Sequence, residues 1–106
     1  DGERLLAWYR SLLLLLSAWR LSAKPFESPV AHALRVQASL PEDSGLLSVA
    51  DAVALLGYGR FGTNPAQVSE ARSCYLKLIK AAPLRAKGIY FARRIVKGIG
   101  SVKQVP

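Results

Sequence analysis

Residues 5–20 read Leu-Leu-Ala-Trp-Tyr-Arg-Ser-Leu-Leu-Leu-Leu-Leu-Ser-Ala-Trp-Arg, an apolar run punctuated by Arg10 and closed by Arg20. At 100° per residue, Leu5, Trp8, Tyr9, Leu12, Leu15, Leu16 and Trp19 share one broad face, while Arg4, Arg10, Ser11 and Ser17 lie opposite or at its edge. The spacing predicts an amphipathic helix over residues 3–22, with Asp1 as cap and Glu3 at the positive end of its dipole. Only nine residues separate Arg10 from Arg20, against roughly 20 for a membrane-spanning helix. The face is therefore expected to be covered by protein. Each large side chain on it gains about 1.5–3 kcal/mol on full burial, more apolar surface than a lone helix can hide.

The rest of the chain also reads as helix. Lys24-Pro25 breaks the first helix. Ser28-Pro29 starts a second, running to about Leu40, and Pro41 to Gly45 is a turn. A third helix is expected near Ser48, with Ser48 as cap and Asp51 at the capping-box position. Glycines at 57, 59 and 62 interrupt it. Asn64-Pro65, with Gln67 three residues after the cap, restarts a helix that Pro83 ends. A short basic helix from Leu84 to Val96, weakened by Gly88, and an extended tail from Gly98 are expected after that.

Charge divides the sequence. Among its 106 residues the net charge is +8, and from Arg72 to Pro106 there are nine Lys or Arg residues and no Asp or Glu. Such a segment favours an acidic partner: nucleic acid, an anionic membrane surface or an acidic protein. A plain solvated, solubilising face is the alternative. Lys77, Lys80, Arg85, Lys87, Arg93, Arg94 and Lys97 are interleaved with Tyr75, Tyr90 and Phe91, a composition suited to phosphate neutralisation and base stacking. The chain opens on Asp1 rather than Met, so a processed product and an omitted start both remain open.

Candidates for catalysis are few. The single histidine, His32, has no evident carboxylate neighbour, and the single cysteine, Cys74, forms no intrachain disulfide. Arg72 and Lys77 stand near enough in sequence to lower the thiol's pKa, but no base accompanies it, and packing is the simpler role. No metal-ligand spacing or catalytic dyad is present. Gly57-Tyr58-Gly59-Arg60-Phe61-Gly62 matches the dinucleotide-binding fingerprint G-x-G-x-x-G. That chemistry needs a preceding strand in a parallel sheet and a helix starting at the third glycine. Thr63-Asn64-Pro65 delays the helix, so the glycines read better as a bend. No enzymatic activity is expected.

Leu5-Leu6-Ala7-Trp8-Tyr9-Arg10-Ser11-Leu12-Leu13 resembles the start of the mitochondrial LYR-motif proteins, the complex I LYR-like family. Ala33-Leu34-Arg35-Val36 is similar to that family's second-helix segment, and Ser48 to Leu56 to the start of its third. The likeness spans roughly residues 3–60. Trp8 stands where the motif has leucine, and Leu40 where phenylalanine is usual. The resemblance implies an all-α, three-helix bundle over residues 1–76, its third helix bent or broken at the glycine cluster, with a basic C-terminal extension over 77–106. It implies a non-catalytic accessory subunit of a respiratory-chain complex, complex I first, on the matrix side of the inner mitochondrial membrane, among other subunits of a large complex. Its partner would be acyl carrier protein, bound through Tyr9, Arg10 and Arg35. Leu12, Leu16 and Leu40 would line a channel for the carrier's acyl-phosphopantetheine, with no cofactor or metal bound directly. An RNA-binding ribosomal accessory protein using the basic third is the alternative, and a dinucleotide-binding protein the next.

Overall fold

A computed structural model describes residues 2–57 and 62–104, with side-chain surroundings through residue 94. Among the described residues the chain is all-helical: α1 Gly2–Ala18, α2 Pro29–Val36, α3 Leu46–Gly57, α4 Pro65–Ala81 and α5 Leu84–Gln104, with a 3₁₀ turn, Gln37–Ser39, continuing α2. No helix among them is long and apolar enough to cross a membrane.

Local chemistry sets the boundaries. α1 stops short of the expected residue 22 in a Schellman turn. There the Leu21 N–H donates to the Leu16 carbonyl (2.7 Å) and the Arg20 N–H to that of Ser17 (3.1 Å). Arg20 takes the left-handed position (φ 64°) normally given to glycine. α2 starts as expected: the Ala31 N–H donates to the Ser28 hydroxyl at 3.2 Å, with Pro29 in the first turn. α3 starts earlier than expected, at Leu46, after Gly45 in the left-handed region (φ 78°). Ser48 is thus inside the first turn, and its hydroxyl donates to Glu70 of α4 (3.1 Å) instead of capping. The capping box of α4 forms as read: Gln67 N–H to Asn64 Oδ1 at 2.9 Å, Asn64 N–H to Gln67 Oε1 at 3.1 Å. The helix after Pro83 runs through Gly88 to Gln104, so the expected tail from Gly98 is helical as far as Gln104.

α1 is the centre of the packing. It lies against α3, α4 and α5, while α2 packs on α3. Leu5, Leu12, Leu15 and Leu16 have no exposed surface, and they share one core with Val36, Val49, Ala71, Leu78, Ala86 and Tyr90. That core joins both sides of the boundary expected at residues 76 and 77. α4 runs unbroken across it, and Leu78, Ala82, Ala86 and Tyr90 beyond it are buried with α1. The C-terminal third, as far as it is described, therefore contributes buried side chains to the core of α1. α3 ends at Gly57, and the glycine-motif residues 58–61 lie outside the described residues.

Candidate functional site

Consecutive residues on a helix point about 100° apart, so the three motif residues of α1 meet three environments. Trp8 is partly buried, its ring 5.3 Å from that of Tyr75 and tilted 52° to it. Arg10 is exposed. Tyr9 lies between these extremes, and burial raises its pKa, with a smaller push from the Glu27 carboxylate.

Glu27 ties the α1–α2 loop together. The Arg35 guanidinium donates to both of its oxygens, Nε to Oε2 and Nη2 to Oε1, each at 2.9 Å. Arg35 Nη2 also donates to the Ser22 carbonyl (2.7 Å), and the Lys24 N–H to Glu27 Oε1 (2.9 Å). The buried His32 adds a further tie, Nε2 donating to the Leu21 carbonyl at 2.7 Å. Arg35 thus holds the loop while remaining an exposed residue. His32 is a satisfied structural side chain.

The Arg35 hydrogen bond, then that of the Lys24 N–H, lowers the Glu27 pKa from 4.5 to about 2. A depressed carboxylate pKa stabilises the fold above the unfolded value, and that contribution fades as pH falls from about 4.5 through about 2. We expect the Glu27 carboxyl, followed by NMR, to titrate near the lower value in the native chain and to return toward the ordinary value in Arg35→Ala. A titration unmoved by that substitution would exclude the clamp.

The leucines expected to line an acyl channel are sealed. Leu12 and Leu16 have no exposed surface, and Leu40 is 7% exposed. Open apolar space occurs instead between α2 and α3, a groove of about 590 Å³ lined by Val30, Leu34, Leu47, Ser48 and Asp51.

Several of the described basic residues of the C-terminal third make contacts within the molecule. Lys77 Nζ donates to the Asp43 carbonyl (3.0 Å) and Lys87 Nζ to the Lys80 carbonyl (3.3 Å), at the end of α4. Arg93 Nη1 donates to the Ser17 hydroxyl of α1 (3.2 Å). Arg94 Nη1 reaches the hydroxyls of Tyr75 (3.1 Å) and Tyr90 (3.2 Å), which bond to each other at 2.6 Å. Burial, then the Tyr90 hydroxyl, pushes Tyr75 up to about 12 despite the nearby guanidinium. This group locks α5 to α4 and Trp8, a structural role that the composition alone did not reveal. Lys80 and Arg85 are exposed. The side chain of Lys97 lies outside the described residues.

The catalytic candidates fall to structural roles. Burial pushes the Cys74 thiol up to about 11, outweighing the lowering by Lys77, so the thiol is an unreactive packing group at neutral pH. The residues before the glycine motif are the end of helix α3, as expected, so the strand that a dinucleotide fingerprint needs is replaced there by helix. Among the described residues no group of three or more His, Cys, Asp or Glu side chains is placed to hold a metal.

The residue that sequence reading passed over is Phe26. The Glu27 N–H donates to the Lys24 carbonyl (3.1 Å), closing a turn over Pro25 and Phe26. Phe26 sits at its third position with φ 64° and its side chain wholly in solvent. Pro25 marks such a turn, but glycine or asparagine is the residue expected after it, so an aromatic there was the available signal. No protein-family model, curated protein or solved structure matches the chain.

Proposed function

We propose that this chain is a non-catalytic docking module that binds an acidic protein through the α1 surface carrying Tyr9 and Arg10. The observation that supports this is the exposed Arg10 guanidinium beside half-buried Tyr9, on a helix whose opposite side is fixed in the core. A cation on a rigid frame orients an anionic partner and speeds encounter. The resemblance of residues 5–13 to LYR-motif proteins gives the partner as acyl carrier protein and the setting as a mitochondrial respiratory complex, complex I first. In this reading Tyr9 contributes an aromatic edge and Arg10 the pairing charge. Arg35 acts indirectly by holding the neighbouring loop. An acyl chain passing beside Leu12 and Leu16 requires α1 to part from its neighbours, because both leucines are sealed.

Native intact-mass measurement on the assembly containing the chain tests the proposal. A carrier bearing acylated phosphopantetheine is expected with the native chain, and Arg10→Glu is expected to release it. An assembly without carrier, or one that keeps it after the charge reversal, would rule the reading out.

A further inference from the structure

The α1–α2 loop is held firmly and yet displays a bare aromatic ring. Its six tertiary or turn-closing hydrogen bonds come from His32, Arg35 and the Lys24–Glu27 turn. A loop fixed this way does not need a phenylalanine at its tip. Phe26 has no cover and occupies a left-handed backbone position where a polar residue or glycine fits better. The sequence tolerates strain at this position and receives no packing from the ring in return. Strain retained without an internal benefit points outward, to binding.

The charges of the loop that carries the ring describe its partner. Residues 20–26 carry Arg20 and Lys24 and no acid, and both cations are exposed. Glu27, the first acid after them, is neutralised by Arg35 at 2.9 Å. The turn therefore presents an aromatic knob in a positive setting.

We infer that Phe26 is the anchor of a protein–protein contact, inserting into an apolar pocket on an acidic partner while Arg20 and Lys24 pair with the pocket's rim. A buried aromatic ringed by polar contacts is the usual centre of binding energy in such an interface. A pre-ordered loop also loses little freedom on binding. A bilayer is the poorer fit, since a single anchor gives only marginal membrane attachment. This inference deepens the docking function proposed above and rests on its acidic protein partner, but not on that partner being acyl carrier protein.

A photo-crosslinking phenylalanine analogue placed at position 26 of the full chain, in the cells that make it, tests the anchor. Position 84 serves as control, because Leu84 is also highly exposed. The expected result is a position-specific adduct with one acidic protein, whose affinity for the purified chain falls about tenfold or more in Phe26→Asn and stays within about twofold in Leu84→Asn. Asparagine suits the left-handed turn, so the variant keeps the fold. An adduct with acyl carrier protein supports both proposals. An adduct with a different acidic protein supports the anchor and removes the carrier. Adducts only with lipid or RNA, no adduct beyond that of position 84, or an unchanged affinity in Phe26→Asn would overturn the anchor.

Discussion

Leu16→Ala is expected to destabilise the protein by about 2–5 kcal/mol, read as a lower urea midpoint at unchanged slope. Leu16 is fully buried among α1 and its neighbours. Removing its isobutyl group loses the transfer energy of the side chain and leaves a cavity that a close-packed core only partly closes. The size of the effect separates two roles for the same residue. A leucine lining an adaptable channel already borders empty space, so its truncation would cost well under this range. A loss below about 1 kcal/mol would show that α1 encloses such a space after all.

Tyr90→Ala is the second large effect, about 3–5 kcal/mol by analogy with other large aromatic truncations. Tyr90 is 1% exposed, touches the Tyr75 ring at 6.2 Å between centroids and shares a 2.6 Å hydroxyl contact with it. Its removal opens a cavity at the junction of α1, α4 and α5 and takes a partner from both Tyr75 and Arg94. Tyr90→Phe isolates the hydroxyl and should cost about 1–3 kcal/mol, because the Tyr75 oxygen keeps only Arg94. Equilibrium unfolding followed by tryptophan fluorescence measures both, since the Trp8 ring lies 5.3 Å from that of Tyr75. If residues beyond 76 were an appended segment, neither change would move the tryptophan-detected transition.

Much of this fold was legible. Ser28-Pro29 and Asn64-Pro65 with Gln67 marked two helix starts, because capping depends on side chains within three residues of the backbone they serve. The leucine face of α1 announced a buried helix for the same local reason. What covers that face was not legible. The stripe Leu78, Ala82, Ala86, Tyr90 repeats every four residues across Pro83, but the lysines and arginines of its other faces dominate the composition, and the segment read as a basic extension. Arg35 misled for a different reason. Its partner Glu27 is eight residues away across an irregular loop, so its use depends on a turn no periodicity reports. The left-handed conformations of Arg20 and Phe26 were hidden because glycine, the usual sign, is absent from both positions.

The candidate site divides along the same line. Tyr9 and Arg10 were found from a local motif, and the helix sets their different exposures. Arg35, Leu12 and Leu16 came from the wider family resemblance and the basic residues from composition, and neither source reports the tertiary contacts these side chains make. Phe26 became visible only once the turn around it was known.

The docking claim is tested most directly by titrating the purified full chain with acylated acyl carrier protein at low and at physiological salt, beside Arg10→Glu. A saturable one-to-one complex is expected, weakening with salt and losing about tenfold or more in affinity on the charge reversal. No complex at low salt, or equal affinity for the native chain and Arg10→Glu, would contradict it.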